Sequence, residues 1–452
     1  MGIINFTKQA RSLSSEITTF LDEENINKIA KKTGFVKRER KLNGFIFLDM
    51  LLFTHFNNNE LSLNDLSAQI SDRYNIRISS QAIDERFTDA AVDFFKLILE
   101  KILNNWLPRK ALIDFTEYEK IKIKDSTSFQ LPENMEEKYQ GSGGASSKAS
   151  IRIQFEYDLK NGEITDLSLH PFTKQDMSNA GETIDCIKSN ELIIRDLGYI
   201  SIKYLQKIQD QSSFYLNRLH SGINAYEKKG EDYVKIDFEK LHKQMKKAGL
   251  KLWDNEVYVG KDKFLTRIVV ELLPENKYEE RIRKVKRKAS RNGRNVGKNA
   301  KARMALNIFI TNTDIPAEDI RTLYTLRWQI ELMFKIWKSI GKIHKIKEMK
   351  VERFEAYLFA KLIWIVINWK IMWQITIFMF NKHKVEISPY KLFKTLKNRL
   401  LDFRQALIKG FEYLCSYINS VAQISHRNHR SEKKKHTQTW SYEVIRKHLL
   451  KT

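Results

Sequence analysis

Lys120-Ile-Lys-Ile-Lys-Asp125-Ser-Thr-Ser-Phe129 is where the pattern of the chain changes. Apolar and polar residues alternate along it with the period of two that a half-buried strand requires. Four more short runs rich in β-branched and aromatic residues follow, at Ser150 to Leu159, Glu163 to Leu169, Leu192 to Asp196 and Ser213 to Leu219. Helices are expected in the intervals after Asn179 and after Ser201. Three strands in succession, then helix and strand in alternation, predict an α/β domain with a mixed sheet and helices on its faces. A last apolar run, Leu306 to Thr311, precedes a long helix that starts near Pro316-Ala317-Glu318.

Between Ser221 and Arg303 the character differs, with strands expected at Glu256 to Val259 and Leu265 to Leu272. This stretch reads as a strand-rich insertion into the mixed domain. It ends in a dense basic run: Arg281, Arg283, Lys284, Lys286, Arg287, Lys288, Arg291, Arg294, Lys298, Lys301 and Arg303. A charge block of this kind is either a solvated loop or a phosphate-binding arm, and the absence of acids after Glu280 favours the arm. The Gly141 to Lys148 segment lacks the glycine directly before lysine that a nucleotide-binding loop needs, so it reads as a flexible connection between the first two strands.

Residues 1–117 alternate with helical period. Leu61 to Tyr74, the turn Asn75 to Ile78 and a second helix capped by Ser79-Ser80 and running through Gln81, Arg86 and Phe87 have helix-turn-helix spacing. Plain helical packing gives the same pattern. The basic run Lys37-Arg38-Glu39-Arg40-Lys41 lies just upstream. Residues 349–452 are also read as helical, with a basic tail, and the segment from Glu355 to Phe380 is a place to look for dimer contacts. Tyr357 to Phe380 is apolar enough to suggest a membrane span, but Lys361 and Lys370 fall inside it and would be costly in a bilayer. It is read as a buried helix, so no membrane is expected as a partner.

The 452 residues are 42% hydrophobic and carry a formal net charge of +24, with 30% of residues charged. Such a chain buries real cores and calls for a polyanionic partner, nucleic acid first. No lipid signal is evident, since Phe6 stands where a myristoylation signal needs Ser or Thr. With two cysteines, Cys186 and Cys415, and no leader pattern at the start, a reducing cytoplasm is the expected location.

Phosphodiester chemistry needs an oxygen nucleophile activated and a departing oxygen stabilised, which carboxylate-held divalent metals do together. Asp125 on the first strand and Asp196 at the end of the fourth could share a metal if those strands are neighbours, roughly 5 Å apart. Each alone reads equally as a turn or cap residue. In the helix after Pro316, Tyr324, Arg327, Glu331 and Lys338 fall within roughly 60° of one another at about 100° per residue. Leu326, Ile330, Met333, Phe334 and Trp337 form an adjoining apolar face suited to packing on the sheet. His426, His429 and His436 are placed in a basic tail without cysteines, a poor zinc site. Asp176, Asp185 and Asp210 read as caps or surface residues.

Tyr324, Arg327, Glu331 and Lys338 reproduce, at the same spacing, the Tyr-Arg-Glu-Lys signature of bacterial insertion-sequence transposases of family four, within the larger Asp-Asp-Glu class. The segment Arg195-Asp196-Leu-Gly198-Tyr199, followed by Phe214-Tyr215-Leu-Asn-Arg218, resembles that family's second motif, and Asp125-Ser126-Thr127 its first. The similarity covers roughly Lys120 to Lys338. It implies an RNase H-like catalytic domain at 118–348, interrupted by a strand-rich basic insertion at about 221–303; outside that span the expectation from the residues is a helical N-terminal DNA-binding region at 1–117 and a helical C-terminal region at 349–452. It also implies that Asp125, Asp196 and Glu331 bind two Mg²⁺ or Mn²⁺ ions, and that Tyr324, Arg327 and Lys338 hold phosphates near the cut. Arg283, Lys284, Lys286 and Arg287 are the further DNA contacts expected from the basic run. The partners implied are the terminal inverted repeats of an insertion sequence, target DNA and a second copy of the chain in a paired-end complex, on the bacterial nucleoid. The expected reaction is metal-dependent strand cleavage by water followed by strand transfer from the released 3′-hydroxyl. Two alternatives use the same residues differently: an RNase H-like nuclease that never joins strands, and a non-catalytic DNA-binding regulator derived from a transposase.

Overall fold

The computed structural model describes residues 5–431 apart from 39–40, 56–61, 106–116, 144–146, 292 and 294–296. The chain begins with helices α1 (Thr7–Phe20), α2 (Glu23–Lys32), α3 (Gly44–Asp49), α4 (Leu63–Tyr74), α5 (Ser80–Asp84) and α6 (Asp89–Asn105). Strands β1 (Lys120–Leu131), β2 (Ala149–Asp158) and β3 (Ile164–Pro171) follow, close to their expected bounds. Then come α7 (Asp176–Glu182), β4 (Glu191–Arg195), α8 (Ile202–Asp210) and β5 (Phe214–Arg218). Helix α7 starts before Asn179 rather than after it, whereas Ser201 caps α8 as expected, accepting from the Tyr204 N–H. The inserted stretch forms β6 (Ala225–Lys229), β7 (Asp232–Lys235), α9 (Phe238–Ala248), β8 (Leu252–Val259), β9 (Phe264–Leu272), α10 (Glu275–Arg291) and α11 (Lys298–Met304). The chain returns through β10 (Leu306–Thr311), α12 (Ala317–Tyr324), α13 (Trp328–Ser339) and α14 (Val351–His383), and ends in α15 (Pro389–Asn398), α16 (Leu400–Lys409) and α17 (Phe411–Asn428).

Among the described residues ten strands share one sheet, in the order β3-β2-β1-β4-β5-β10-β9-β8-β6-β7. Antiparallel β1, β2 and β3, with β4 and β5 parallel to β1, make the mixed sheet that the sequence implies. The insertion does not stand apart as a lobe. Strand β10 pairs with β5 on one side and β9 on the other, so β9, β8, β6 and β7 extend the same sheet. An apolar strand such as β10, buried along its whole length, leaves an unpaired edge unless another strand covers it, and β9 does so.

One face of β1 to β5 is covered by α12, α13 and α14. Phe155 on β2 meets Trp337 of α13, with ring centroids 4.8 Å apart, and Trp369 of α14 at 5.8 Å. At the β2–β3 turn Gly162 has φ +74°, and a Cβ there would lie 2.4 Å from the Trp373 ring, so α14 packs against bare backbone. The Trp369 indole N–H donates to the Gly162 carbonyl at 2.8 Å. As expected, Tyr357 to Phe380 lies inside α14, whose most apolar window is 89% buried within the chain. That burial leaves little of this segment exposed. N- and C-terminal helices close on α14 together, with Arg404 of α16 pairing with Asp49 at 2.8 Å. The opposite face of the sheet is covered by α7, α8 and α9, forming a second core around Ile193, Leu205 and Ile268.

The proposed helix-turn-helix is α4 and α5, with Asn75 left-handed at φ 52° and Ser79 capping as read. Helix α5 stops at Asp84, five residues in all and short of Arg86 and Phe87, and Asp84 binds Arg353 of α14 at 3.0 Å. Arg86 turns inward to the Leu42 carbonyl and over the Phe35 ring.

Candidate active site

Side chains alternate along β1. Ile121 and Ile123 enter the core beneath α13, and Asp125 follows them on the same face. Strand β4 repeats the pattern with Leu192 and Ile194, then Asp196 one residue past its end. The two strands are parallel neighbours whose last pair is Lys124 with Arg195, so Asp125 and Asp196 follow side by side just past the end of that pairing. Glu331 arrives from the first turn of α13.

A single guanidinium joins the three. Arg327 donates from Nη1 to Asp125 Oδ2 at 2.8 Å and from Nη2 to Glu331 Oε1 at 2.8 Å, and its Nε lies 3.9 Å from Asp196 Oδ1. The Tyr324 hydroxyl donates to Asp196 Oδ1 at 3.5 Å, and the Lys338 ammonium to the Ser128 carbonyl of β1 at 3.0 Å. All six motif residues therefore meet around the middle of β1, just past the last residue of β4. The helix carrying four of them is not continuous: α12 and α13 are joined by a tighter turn, Thr325–Arg327, that sets Arg327 at the junction. Ile330, Met333, Phe334 and Trp337 anchor α13 on the sheet as expected.

The acids open to solvent on one side. Asp196 and Glu331 are 47% and 54% exposed in their side chains, against 9% for Arg327. Burial is the main cause that pushes the Asp125 carboxyl up to about 6; the Ser126 N–H and Arg327 oppose it, and Asp196 and Glu331 add to it. Burial disfavours the Arg327 charge, but the surrounding Asp196, Tyr324, Asp125 and Glu331 outweigh it and raise its pKa. Burial raises the Tyr324 phenol to about 12 and lowers the Lys338 ammonium. Three carboxylates facing one guanidinium leave the pocket short of positive charge. Hard oxygen donors with that deficit suit a divalent cation such as Mg²⁺ or Mn²⁺. Among the described residues no three acid, histidine or cysteine side chains stand close enough to hold a metal between them, because the Arg327 fork occupies the centre and spreads the acids around it.

The Transposase DDE domain family matches residues 119–367, from the first residue before β1 to the middle of α14. The chain belongs to the insertion-sequence DDE transposases. It is 30% identical to the transposase for insertion sequence element IS231D of Bacillus thuringiensis subsp. finitimus, over 95% of each chain. It is 29% identical to the transposase for insertion sequence element IS1151 of Clostridium perfringens, over 96% of this chain and 95% of that one.

In this transposase the described part of the basic run is helical, in α10 and α11, rather than a loop. Arg283, Lys284, Lys286 and Arg287 are exposed on α10. The two ends of the run are structural instead: Arg281 donates to the Met304 and Leu306 carbonyls, and Arg303 to the Ser221 carbonyl while stacking on Phe238. Arg294 and the side chains of Lys288 and Lys298 lie outside the described residues, as do Arg40 and residues 432–452 with His436. His426 and His429 are not tail residues: both are buried at the end of α17, His429 against Ser425 and Thr395. Asp176 is no plain cap, since it binds Arg152 and Gln154, each at 2.8 Å. Sequence reasoning also passed over Trp328, next to Arg327 in the chain, which is 50% exposed. The long apolar face of α13 hid it, because Trp328 reads as one more core residue.

Proposed function

We propose that this transposase binds the terminal inverted repeats of its insertion sequence and carries out metal-dependent strand cleavage and strand transfer with Asp125, Asp196 and Glu331. The observation that carries the reading is the Arg327 guanidinium bonded to carboxylates from β1 and α13 and facing a third from the end of β4. A pair of Mg²⁺ or Mn²⁺ ions held by the three acids would supply the Lewis acidity for in-line attack at phosphorus, by water and then by a 3′-hydroxyl. Arg327, already aimed into the site, is a fork that matches a phosphate oxygen pair, and Lys338 and Tyr324 supply a charge and a hydroxyl beside it. The exposed cations of α10, Arg283, Lys284, Lys286 and Arg287, serve as phosphate contacts away from the acids. Pairing of two ends calls for a homodimer, and exposed Leu401, Ile408 and Tyr413 on α16 and α17 support a contact there rather than along α14. The work is done in the bacterial cytoplasm, on nucleoid DNA.

The test uses DNA carrying the element's own ends, with Mg²⁺, wild type and Glu331→Ala. Cutting and joining by the wild type, with binding alone by the variant, is the expected result. Cutting without joining points to a nuclease, and salt-sensitive binding without cutting in either protein points to a regulator.

A further inference from the structure

Each acid that the sheet contributes is preceded by a fully buried cation: Lys124 stands before Asp125, and Arg195 before Asp196. Lys124 is the register partner of Arg195 on β4 and of Glu156 on β2, Glu156 is the partner of Asp166 on β3, and Arg195 of Asn217 on β5. Register partners project to the same face, so Asp166, Glu156, Lys124, Arg195 and Asn217 form one row across five strands, on the face away from α13.

Within the row each cation reaches over a strand. Arg195 spans β1 to bind Glu156 on β2, and Lys124 spans β2 to bind Asp166 on β3 at 2.6 Å. The second oxygen of Glu156 accepts from the Thr165 hydroxyl at 2.8 Å, and the Arg195 backbone N–H donates to Asn217 Oδ1 at 2.9 Å. Tyr204 lies against the Arg195 guanidinium with its ring centroid at 5.2 Å. None of these groups enters the chemistry proposed above, and burying them is expensive unless every pairing is kept.

We propose that Lys124, Arg195 and Glu156 are positioning residues, which lock the β1–β4 register at its last pair, one residue before Asp125 and Asp196, and so set the spacing of those carboxylates toward a divalent cation. The proposal rests on the reading of Asp125 and Asp196 as metal ligands. Apolar alternation alone forbids a slip of one residue, because that turns every side chain to the wrong face. A slip of two keeps Ile121, Ile123, Leu192 and Ile194 on their own face and costs the apolar core little. It moves Arg195 about 7 Å along the sheet, out of reach of Glu156, and leaves buried charges unpaired. The crossed ties therefore discriminate where the apolar pattern cannot, directly beneath the two acids.

Mn²⁺ binding to the full chain, followed by the free-ion EPR signal, tests this with wild type, Asp125→Asn, Arg195→Lys and the double variant Arg195→Met with Glu156→Leu. The double variant removes both charges together, a change that buried pairs often tolerate. Wild type should bind, and Asp125→Asn should bind poorly. The two row variants should fold, as judged by thermal melting, yet bind Mn²⁺ about tenfold more weakly, as loss of an outer-shell partner does. Their cleavage at limiting Mg²⁺ should fall and recover at high Mg²⁺. Wild-type Mn²⁺ affinity in folded row variants overturns the proposal, and unfolding of both assigns the row to stability alone and overturns it too. Failure of the wild type to bind, or equal binding by Asp125→Asn, overturns the ligand reading instead.

Discussion

On the face of β1 away from α13 the charges balance: Lys122 pairs with Glu191, Lys124 with Asp166 and Arg195 with Glu156, almost all of it buried. On the face toward α13 they do not, since among the described residues the ion pairs of Asp125, Asp196 and Glu331 all go to Arg327, and two of the three acids lie half exposed. Both groups use the same residue types within a few ångströms of the same strand. What separates them is charge balance: on one face each cation has its own carboxylate, whereas three exposed or half-buried acids sharing one guanidinium leave an undercharged set that can take a cation.

The comparison breaks first at the acids. Asp125→Asn or Glu331→Ala should cut strand cleavage roughly a thousandfold, several kcal/mol of transition-state stabilisation, while end binding changes little. A parallel loss of binding in a filter or gel-shift assay would count against their place in the metal site. Neutralising the balanced set should act on the fold instead. Glu156→Gln leaves Arg195 buried and unpaired, and urea denaturation should show a loss of about 3–5 kcal/mol.

The two faces should also respond to pH with opposite sign. Burial works against the Glu156 carboxylate, but Arg195, Lys124 and Lys122 outweigh it and hold it down at about 2, from an ordinary 4.5. Its stabilisation is present in full above 4.5 and is lost as pH falls through about 2. Asp125, raised from 3.8 to about 6, favours the folded state while protonated, and that contribution is lost as pH rises through about 6. Asp125→Asn should therefore melt higher than wild type above pH 6, by an amount on the order of 2 kcal/mol. A melting curve in which both variants track wild type from pH 4 to 7 would erase the distinction between the faces.

Smaller effects sharpen it. Arg327→Gln removes the one cation among the acids, so Mn²⁺ should raise the melting temperature of the variant more than that of wild type, by about 1–2 kcal/mol at equal metal. Equal shifts would mean that Arg327 does not neutralise the acids in the free protein. Neutralising Arg283, Lys284, Lys286 and Arg287 together should leave melting and metal binding unchanged and lower the salt dependence of DNA binding, each phosphate contact being worth about 0.9 in the log–log slope. An unchanged slope would retire α10 as a DNA contact.

By itself the sequence determined the strands β1 to β5 and β10, because β-branched alternation between turn residues is a local signal. It also placed Glu331 and Arg327 on one side of a helix, since helical period is local too. Only the tertiary structure decided the rest. That β9 continues the sheet beyond β10 depends on an edge needing a partner, which no run of residues announces. That Arg86, Arg281 and Arg303 are structural while Arg283 and Arg287 face solvent depends on which carbonyls lie within reach. Lys124 and Arg195 looked in the sequence like any cations beside an aspartate. Their role appears once β1 and β4 are neighbours, because a buried charge is defined by its partners, and those partners come from strands far apart in the chain.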